Sequence, residues 1–364
     1  MKKIKIAFIL SGLGHVNRGA ETTFTEIIKR LAQKLDITVF GGGNNFHVNG
    51  VKYIKVPIIK RKYFEKFPNI KRAHLTHSHD WESVVFSIML IPMFLRYEFD
   101  IISTHSAVFE LLPSKIYRKF RKNTKIVFTS GGGTAFTHSR FFEADKVIAQ
   151  NPEYYKLFSK KFSTAFIPCG VDIDVFKLQK VSRKEFNLSE DKFIIFSSSA
   201  FDPIKRLDFL IKAASKIKNA YLVFSSTGIQ EKYLKKLGKQ LMGDNIRFIG
   251  VVDKDELVKY YSLADVFCLP SKTEPFGMSL IDAMACHVPV VTNNTETQKW
   301  IVKDGGSCVN VNGMNVLIEA LEKYKDKKLA EETGIKGRKN VVERFSYDIA
   351  AKKYYEVFKE LVNR

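Results

Sequence analysis

Two carboxylates in the C-terminal half of the sequence are spaced so that they can reach different parts of one elongated ligand. Glu274 lies in a turn after an apolar run that ends at Leu269, and Asp282 follows eight residues later inside a segment of helical pattern. One acid therefore lies near a strand end and the other lies two turns into a helix. A capping glutamate and a solvated aspartate would explain the same spacing, so the pair alone does not define a site.

The backbone next to Glu274 adds a second chemical feature, an anion-binding helix terminus. Pro275 is predicted to open the helix, because the N–H that proline lacks has no partner in a first helical turn. The free N–H groups that follow belong to Phe276, Gly277 and Met278. Such a terminus binds a diphosphate through its backbone donors and the helix dipole.

The elements that position these residues follow from the alternation of short apolar runs with longer helical patterns. Strands are predicted at 4–10, 37–40, 53–56, 101–104, 126–129, 147–149 and 166–167, then at 193–197, 220–224, 246–249, 266–269 and 288–291. Helices are predicted, among others, at 21–34, 207–217, 230–241, 255–264, 278–285 and 347–362. This alternation is typical of parallel sheets that are covered by helices on both faces.

The two successive strand series predict an α/β chain of two doubly wound, Rossmann-like domains. The break is expected in the turn-rich stretch 167–174, which gives a first domain over 1–172 and a second over 173–345. In open α/β sheets, ligands bind beyond the carboxyl ends of the strands. Two such domains facing each other would enclose a central cleft as the ligand site.

The composition is that of a folded protein, with 45% hydrophobic and 27% charged residues, and it excludes disordered and collagen-like chains. No apolar stretch reaches the roughly 18 residues that a spanning helix needs, and the longest, 84–95, contains Pro92. The start at 1–10 is interpreted as a buried strand and not as a signal peptide, because it lacks a small-residue cleavage site. The four cysteines form no Cys-x-x-Cys pair, which predicts a reducing, cytoplasmic compartment without a zinc site or a disulfide framework.

The formal net charge of +21 is concentrated in the first half of the chain. Residues 1–170 hold 27 basic and 12 acidic side chains, a net charge of +15. Basic residues with aromatic neighbours form two groups, Lys60, Arg61 and Lys62, and Arg118, Lys119, Arg121 and Lys122. This pattern suits an anionic partner, either a phospholipid surface or nucleic acid. A solvated, lysine-rich surface is the structural alternative.

Motifs along most of the chain resemble those of retaining GT-B glycosyltransferases, in particular glycosyltransferase family four. The segment from Glu274 to Asp282 is similar to the family's Glu-x7-Glu signature, and 261–271 is similar to the strand before it. Residues 245–250 resemble the preceding strand and its glycine, and 202–208 resemble the first donor-side loop. Residues 167–172, with Phe176, resemble the interdomain turn, and Arg18-Gly-Ala-Glu21 resembles the N-terminal glycine turn. From about residue 5 to residue 360 these motifs occur in the family's order.

The resemblance implies a GT-B fold and a retaining sugar transfer that needs no metal or other cofactor. A UDP-, GDP- or ADP-sugar is expected in the second domain, with Glu274 on the sugar hydroxyls, Asp282 on the ribose and Lys205 on the diphosphate. His105 is expected beside the transferring sugar. Further donor contacts are expected from Gly19, Ala20, Ser199, Arg206, Phe276, Gly277 and Met278. The final helix, within 346–364, is expected to cross back onto the first domain.

The sequence departs from the family pattern at several positions. Asp282 is one methylene shorter than the usual second glutamate, so its ribose contact is expected to be looser or water-bridged. Ala200 stands where many relatives have an arginine on the diphosphate, and Arg206 is the candidate substitute. His287 replaces a common glycine, and Trp300 falls near a position that is often acidic. The strand end at 129–131 lacks a histidine that is often found there.

Other constellations have structural alternatives. His74, His77, His79 and Asp80 lie within seven residues, but without further ligands at a metal-site spacing a surface turn before a helix is favoured over a metal site. His79 is also the alternative to His105 as the histidine that is expected beside the transferring sugar. The glycine runs 41–43 and 131–133 are interpreted mainly as tight strand exits. The serine run 197–199 lies at a strand end, where its hydroxyl and N–H groups could meet a phosphate.

The sequence thus predicts a retaining glycosyltransferase with a glycan or lipid-linked acceptor held mainly by the first domain. The basic first half and the run 84–95 favour an acceptor at an anionic membrane surface, reached by peripheral attachment at the inner face of the plasma membrane. A soluble acceptor is the main alternative. A second hypothesis is a family member that binds nucleotide or glycan without turnover, which the departures from the family pattern favour. Specific nucleic-acid binding is not predicted, because no helix-turn-helix, zinc finger or aromatic RNA-binding strand is found.

Overall fold

The fold is described from a computed structural model of the chain. It describes residues 3–16, 18–64, 67–68, 70, 75, 78–105, 108–131 and 142–363. The chain divides into two compact units. Unit 1 comprises Met1–Cys169 with Asp348–Arg364, and unit 2 comprises Gly170–Tyr347.

Unit 1 is a parallel sheet with helices packed on it. Its strands are β1 Lys5–Leu10, β2 Asp36–Gly41, β3 Lys52–Lys55, β4 Ile101–His105, β5 Lys125–Ser130, β6 Lys146–Ala149 and β7 Thr164–Phe166, in the order β3-β2-β1-β4-β5-β6-β7. Its helices are α1 Gly19–Leu31, α2 Ser78–Phe94, α3 Leu111–Phe120 and α4 Pro152–Phe158. The central strands are buried on both faces, as in β1, where residues 6–10 are at most 4% exposed. The strand order reverses between β1 and β4, and the loops that follow these two strands meet at that point.

Unit 2 repeats this design with its own sheet and its own core. Its strands are β8 Phe193–Ser198, β9 Ala220–Ser225, β10 Ile246–Gly250, β11 Val266–Leu269, β12 Val290–Asn293 and β13 Gly306–Val309, in the order β10-β9-β8-β11-β12-β13. Its helices are α5 Leu207–Ala214, α6 Glu231–Met242, α7 Lys254–Leu263, α8 Met278–Ala285, α9 Glu296–Val302, α10 Met314–Glu322 and α11 Lys327–Arg344. Here the order reverses between β8 and β11, which places the loops with Lys205 and Glu274 at the reversal. Such a switch point is where ligands bind in doubly wound sheets.

The last helix, α12 Tyr347–Val362, packs on unit 1. The ring of Phe358 lies edge-on to that of Phe8 in β1, with ring centroids 6.2 Å apart. The hydroxyls of Tyr354 and Thr129 are hydrogen-bonded at 3.0 Å, and Nε of Arg30 donates to Asp348 at 2.8 Å. An apolar face and two polar contacts therefore hold the helix on the sheet of unit 1.

Several predicted boundaries differ from the structure for local reasons. β12 begins at Val290 instead of 288, because His287, in a left-handed conformation, ends the turn after α8. β13 was not predicted, since Gly306-Ser-Cys-Val309 is a short edge strand without an apolar run. α2 begins at Ser78, so His79 and Asp80 belong to its first turn and not to a preceding surface turn. Among the described residues, no helix has the length and hydropathy to cross a membrane.

Candidate functional site

The loop after β8 is built to hold Lys205 at the carboxyl edge of the second sheet. Asp202 caps the short 3-10 helix Pro203–Lys205, and its Oδ1 accepts the Ile204 N–H at 3.0 Å. Arg206 follows with φ 55°, a left-handed turn that ends the 3-10 helix and starts α5. Lys205 therefore lies on a short, capped segment and not on an extended flexible loop.

Lys205 and Glu274 form an ion pair across the two loops of the switch point. Nζ of Lys205 lies 2.6 Å from Oε2 of Glu274, and the side chains are 19% and 11% exposed. The structure thus brings together two residues that lie 69 positions apart in the sequence. The pair balances its own charge, so an incoming anion has to compete with Glu274 for Lys205.

The N-terminus of α8 lies beside this ion pair. Gly277 caps the helix with φ 88°, a conformation that favours glycine, and a Cβ there would lie 3.1 Å from Cγ of Glu274. Leu280 donates to the Gly277 carbonyl at 2.9 Å, so the N–H groups of Met278 and Ser279 precede this first helical bond. The expectation that Pro275 opens the helix was wrong, because α8 begins at Met278 and Pro275 lies in the loop before it.

Asp282 lies on α8, close to the buried Tyr261. Burial raises the pKa of the Asp282 carboxyl to about 7, and the positive charge of Lys254 offsets only part of this effect. Burial also raises the pKa of Tyr261, and the negative charge of Asp282 adds to it. The carboxyl group is therefore poised between its two charge states near neutrality, where it can both donate and accept hydrogen bonds.

Three serine hydroxyls at this edge are enclosed without a hydrogen-bond partner among the described residues. Ser197 lies near the end of β8, Ser199 directly follows that strand, and Ser271 follows β11, the neighbouring strand. Ser197 and Ser271 are fully buried. Buried hydroxyl groups are normally hydrogen-bonded, so three unpartnered ones on adjacent strands indicate a place for a polar ligand.

Neither Arg206 nor Ala200 provides a second positive charge beside the Lys205–Glu274 ion pair. The guanidinium of Arg206 donates to the Val311 carbonyl at 2.8 Å and to Asn312 at 3.1 Å, and it stacks on the ring of Phe209. Ala200 is exposed. Arg206 is thus engaged with the 311–312 turn.

The remaining departures from the family pattern have structural contacts in unit 2. His287 has φ 61°, a backbone that favours the glycine it replaces. The Trp300 ring packs edge-on against Phe345 at 5.2 Å, and the Arg344 guanidinium lies 4.6 Å over it. The Phe276 ring also packs edge-on on Phe345, at 5.8 Å. Trp300 and Phe276 therefore help to attach the segment after α11.

His105 ends β4 at the switch point of the first sheet. Its side chain is 1% exposed, and its ring packs edge-on against Phe24 of α1 with centroids 5.1 Å apart. Burial lowers the pKa of His105 to about 3, so the imidazole is neutral at physiological pH. Gly19 and Ala20 form the first turn of α1, where Gly19 is exposed and Ala20 is half-buried.

Two buried carboxylates near His105 were not predicted from the sequence. Glu110 is fully buried and accepts from the Ser11 N–H at 2.8 Å and from the Ser83 hydroxyl at 3.2 Å. Burial raises the pKa of Glu110 to about 8, although both hydrogen bonds lower it. The Glu110 carboxyl group therefore keeps its proton at neutral pH.

Glu82, in the first turns of α2, is the second of these acids and is also fully buried. It accepts from the Arg61 N–H at 2.7 Å, from Nε and Nη2 of Arg61 at 3.1 and 2.6 Å, and from Nε2 of His15 at 3.1 Å. Burial opposes the charge, but His15 and Arg61 together lower the pKa of Glu82 to about 2. The available signal was a glutamate in the first turns of α2, just before the apolar run 84–95.

The two basic groups do not form one uniform cationic surface. Arg61 was expected on an anionic surface, but it points inward to Glu82 because a buried carboxylate requires a paired cation. Arg118 is likewise paired with Asp145 at 2.6 Å and with Glu143, and Arg121 is paired with Glu98. In the part of the chain that is described, Lys60, Lys62, Lys119 and Lys122 are exposed and have no carboxylate partner.

The two groups also lie at opposite ends of the strands of the first sheet, 60–62 at the carboxyl ends and 118–122 at the amino ends. Residues 60–62 follow β3 and lie next to the start of α2, whereas residues 118–122 end α3 and precede β5. The glycine run 41–43 packs against the turn after β1, where a Cβ on Gly43 would lie 2.0 Å from the Gly14 backbone.

No metal-binding group of His, Cys, Asp and Glu is found among the described residues. His74, His77 and residues 132–133 lie outside the described residues.

Comparison with known proteins identifies the class. Residues 179–340 match the profile of the family described as "Glycosyl transferases group 1". The chain is 25% identical over 299 residues to the O-antigen biosynthesis glycosyltransferase WclY of Escherichia coli, covering 80% of each chain. It is 30% identical over 200 residues to an uncharacterized glycosyltransferase of Methanocaldococcus jannaschii, covering 53% of this chain and 51% of the relative.

The solved structures show the same fold over the whole chain. A sucrose-phosphate synthase from Thermosynechococcus elongatus superimposes with a TM-score of 0.82 at 20% identity, covering 99% of this chain and all of the other. Anabaena HepE, in complex with UDP and glucose, has a TM-score of 0.76 at 16% identity and covers 98% of this chain. These solved structures show that the chain has the two-domain GT-B fold. The family match over residues 179–340 and the curated relatives indicate a transferase of the glycosyltransferase class.

Proposed function

We propose that the chain transfers a sugar from a nucleoside diphosphate sugar to a glycan or lipid-linked acceptor, with retention of configuration and without a metal. The observation that carries this proposal is the Lys205–Glu274 ion pair at the switch point of unit 2. A donor diphosphate would take over Lys205, which frees Glu274 to bind hydroxyls of the sugar. Structures of Anabaena HepE with UDP-glucose and of a starch synthase with ADP are consistent with a donor of this class.

The groups around the ion pair suit each part of such a donor. The free N–H groups at the start of α8 and the helix dipole favour the diphosphate. Asp282 is half-buried beside them and can bind ribose hydroxyls directly or through a water. The enclosed hydroxyls of Ser197, Ser199 and Ser271 are further donors for phosphate oxygens.

These groups would stabilise the negative charge of the departing diphosphate. As the bond to the anomeric carbon breaks, negative charge grows on the phosphate oxygens, and fixed donors stabilise it. The same oxygens would receive the proton of the acceptor hydroxyl on the same face of the sugar. His105, which stays neutral because it is buried, offers a polar but uncharged group for the sugar.

A second candidate is a protein that binds a nucleotide sugar without turnover. It is favoured by the scarcity of cations, because Lys205 is neutralised by Glu274, Arg206 is held at Val311, and Ala200 carries no charge. A donor site with one compensated cation would bind a diphosphate while it stabilises the leaving group less.

Thermal unfolding with UDP, GDP, ADP and their sugar conjugates tests donor binding. A ligand at about 100 times its dissociation constant adds about 2.7 kcal/mol to the free energy of unfolding, which moves the midpoint by several degrees. We expect one nucleotide family to shift the midpoint and Asp282→Ala to reduce the shift. No shift with any of them would contradict both candidates. A shift without product formation would favour the binding protein.

For the acceptor, we propose peripheral attachment of unit 1 to an anionic membrane surface. Support comes from exposed apolar side chains on α2 and the segment before it: Ile59, Tyr63, Phe67, Ile88 and Met89. Lys60 and Lys62 lie in the same segment and are exposed. Amphipathic surfaces with a basic rim bind the interface of anionic bilayers.

Co-sedimentation with vesicles tests this attachment. We expect binding to vesicles with anionic lipid, weakened by Ile88→Ser with Met89→Ser and by Lys60→Glu with Lys62→Glu. Lys119→Glu with Lys122→Glu is the matched control at the amino ends of the strands. Equal binding to neutral vesicles, or equal weakening by the control, would contradict the proposal and favour a soluble acceptor.

A further inference from the structure

His15 occupies a position in unit 1 to which the donor chemistry gives no role. It lies in the turn after β1, at the switch point of the first sheet, and its side chain is 10% exposed. One ring nitrogen, Nε2, lies 3.1 Å from Oε2 of Glu82. The other, Nδ1, is enclosed and has no hydrogen-bond partner among the described residues.

Glu82 determines which of the two nitrogens carries the proton. Three donors of Arg61 hold Glu82 as a carboxylate, and a carboxylate only accepts hydrogen bonds. Nε2 must therefore be the donor in this contact. In the neutral imidazole, Nδ1 is then left with a free lone pair and acts as an acceptor.

The surroundings indicate which ligand this acceptor suits. The charges of Glu82 and Arg61 balance each other at 2.6 Å, so the pair does not call for an ion. Glu21 lies nearby, 3.8 Å from Nη2 of Arg61, and burial raises its pKa. A neutral hydroxyl donor fits this environment, since an enclosed acceptor that has no donor has lost its hydrogen bonds to water without replacing them.

We propose that Nδ1 of His15 accepts a hydrogen bond from a hydroxyl of the sugar acceptor, with Glu82 fixing the ring. This rests on the proposed function, because the acceptor is expected on unit 1. Nδ1 is enclosed in the present conformation, so the hydroxyl reaches it through a shift of the turn 12–16. Gly14, His15 and Val16 of this turn are half-buried, and Arg18 and Gly19 after it are exposed, so this part of the turn lies at the surface.

Two substitutions separate the two ring nitrogens. His15→Gln keeps an amide N–H at the position of Nε2, and therefore the contact to Glu82, but removes the acceptor at Nδ1. His15→Asn keeps an oxygen near the position of Nδ1 but does not reach Glu82. His47→Gln is the matched control, since His47 is an exposed histidine of the same unit that contacts Asn49.

The first readout is sugar transfer to 4-nitrophenyl hexosides from the nucleotide sugar that stabilises the chain. We expect His15→Gln to lower kcat/KM for the hexoside about tenfold or more, mainly through KM, as the loss of one hydrogen bond requires. His15→Asn should retain part of the activity. Donor hydrolysis and nucleotide affinity should stay within about twofold in both variants, since His15 is not among the residues proposed to contact the donor.

The second readout is the ring-nitrogen NMR signals of His15 in the 15N-histidine-labelled full chain, titrated with the same hexosides and no donor. We expect an unprotonated Nδ1 signal that shifts on addition of a hexoside, and no such shift in Glu82→Gln. A protonated Nδ1, or no response to any hexoside together with unchanged transfer by His15→Gln, overturns the proposal. If the chain neither binds nor hydrolyses a nucleotide sugar, the proposed function fails, and this titration still decides the role of His15.

Discussion

The carboxyl ends of the strands in the two sheets both carry acidic residues at the point where the strand order reverses, but these acids have different partners in the two units. In unit 1 the acids Glu82 and Glu110 are fully buried, and their hydrogen-bond partners come from neighbouring elements of the same unit. In unit 2 the acid Glu274 is 11% exposed, pairs with one lysine, and lies beside free helix N–H groups and unpartnered hydroxyls. The two acids of the first edge, the carboxyl edge of the sheet in unit 1, therefore have partners within their own unit, whereas the second edge, that of unit 2, holds unpartnered donors that can bind an anion.

This difference separates stability from binding. A buried carboxylate that loses its partner is costly, because its charge cannot be solvated. A partly exposed ion pair contributes little to stability and can exchange its partner for a ligand. Substitutions at the first edge should therefore affect folding most, and those at the second should affect ligands most.

The largest expected effect is on the stability of unit 1. Glu82→Ala leaves the inward-facing Arg61 without its carboxylate and should lower the free energy of unfolding by about 3–5 kcal/mol. Glu98→Ala, which removes an exposed partner of Arg121, should cost at most about 1 kcal/mol. Urea unfolding of the two variants measures both values, and equal losses would contradict the distinction.

Next in size is the loss of nucleotide affinity when Lys205 is removed. Lys205→Ala deletes the cation expected on the diphosphate, and a hydrogen bond to a charged group contributes about 1.5–3 kcal/mol, or about 10–100-fold in Kd. Lys212→Ala removes a lysine of an exposed ion pair on α5 and should leave Kd unchanged. Titration calorimetry with the nucleoside diphosphate measures both; equal affinities would place the diphosphate elsewhere.

The pH dependence of stability should distinguish two of the buried titratable groups of unit 1, His105 and Glu110. The native state holds His105 neutral down to pH 3, so stability rises with pH up to its unfolded value of 6.5. Glu110 keeps its proton up to about pH 8 in the native state but loses it near 4.5 when unfolded, so stability falls as pH rises between these values. The two trends oppose each other below pH 6.5.

Above pH 6.5 only the Glu110 trend remains of these two. The free energy of unfolding should fall by up to about 1.4 kcal/mol per pH unit between pH 6.5 and 8. Glu110→Gln, which cannot ionise, should lose this slope and keep the hydrogen bonds of its carbonyl oxygen. Urea unfolding at both pH values measures the slope, and an unchanged slope in the variant would refute the assignment to Glu110.

The smallest expected effect distinguishes the unpartnered hydroxyl of Ser271 from the hydrogen-bonded hydroxyl of Ser83. Ser83 donates to Glu110, so Ser83→Ala should cost about 1 kcal/mol of stability. The Ser271 hydroxyl has no partner within the described residues, so Ser271→Ala should be nearly neutral for folding but weaken nucleotide binding. Unfolding and calorimetry on both variants test this; a destabilised Ser271→Ala with unchanged affinity would mean a structural role.

The sequence was sufficient for the class of fold and for the second edge. Alternating strand and helix patterns predicted two doubly wound units, and the segment 266–285 folds as the predicted strand, loop and helix. These features are local, since they depend on apolar runs and on glycine and proline at turns. The ion pair between Lys205 and Glu274 was not predicted, since the family resemblance only assigned the two residues to different parts of one ligand.

The first edge could not be predicted in the same way, because it depends on contacts between distant segments. Glu82 and Arg61 lie 21 residues apart, and Ser11 and Glu110 lie 99 apart, with no local pattern that joins them. Arg61 was assigned to a surface because a basic cluster in a sequence does not reveal which member is paired with a buried acid. Glu82 itself lies among other polar residues at the start of α2, a composition that is ordinary for an exposed first helical turn.

Release of nucleoside diphosphate from the stabilising nucleotide sugar tests the central claim, sugar transfer at the second edge, most directly. We predict that the wild-type chain releases diphosphate and that Glu274→Gln lowers kcat by about 10²-fold or more, as for a lost transition-state contact. Glu296→Gln, an exposed acid on α9, should retain full activity. Equal release by the wild type and Glu274→Gln would contradict the account.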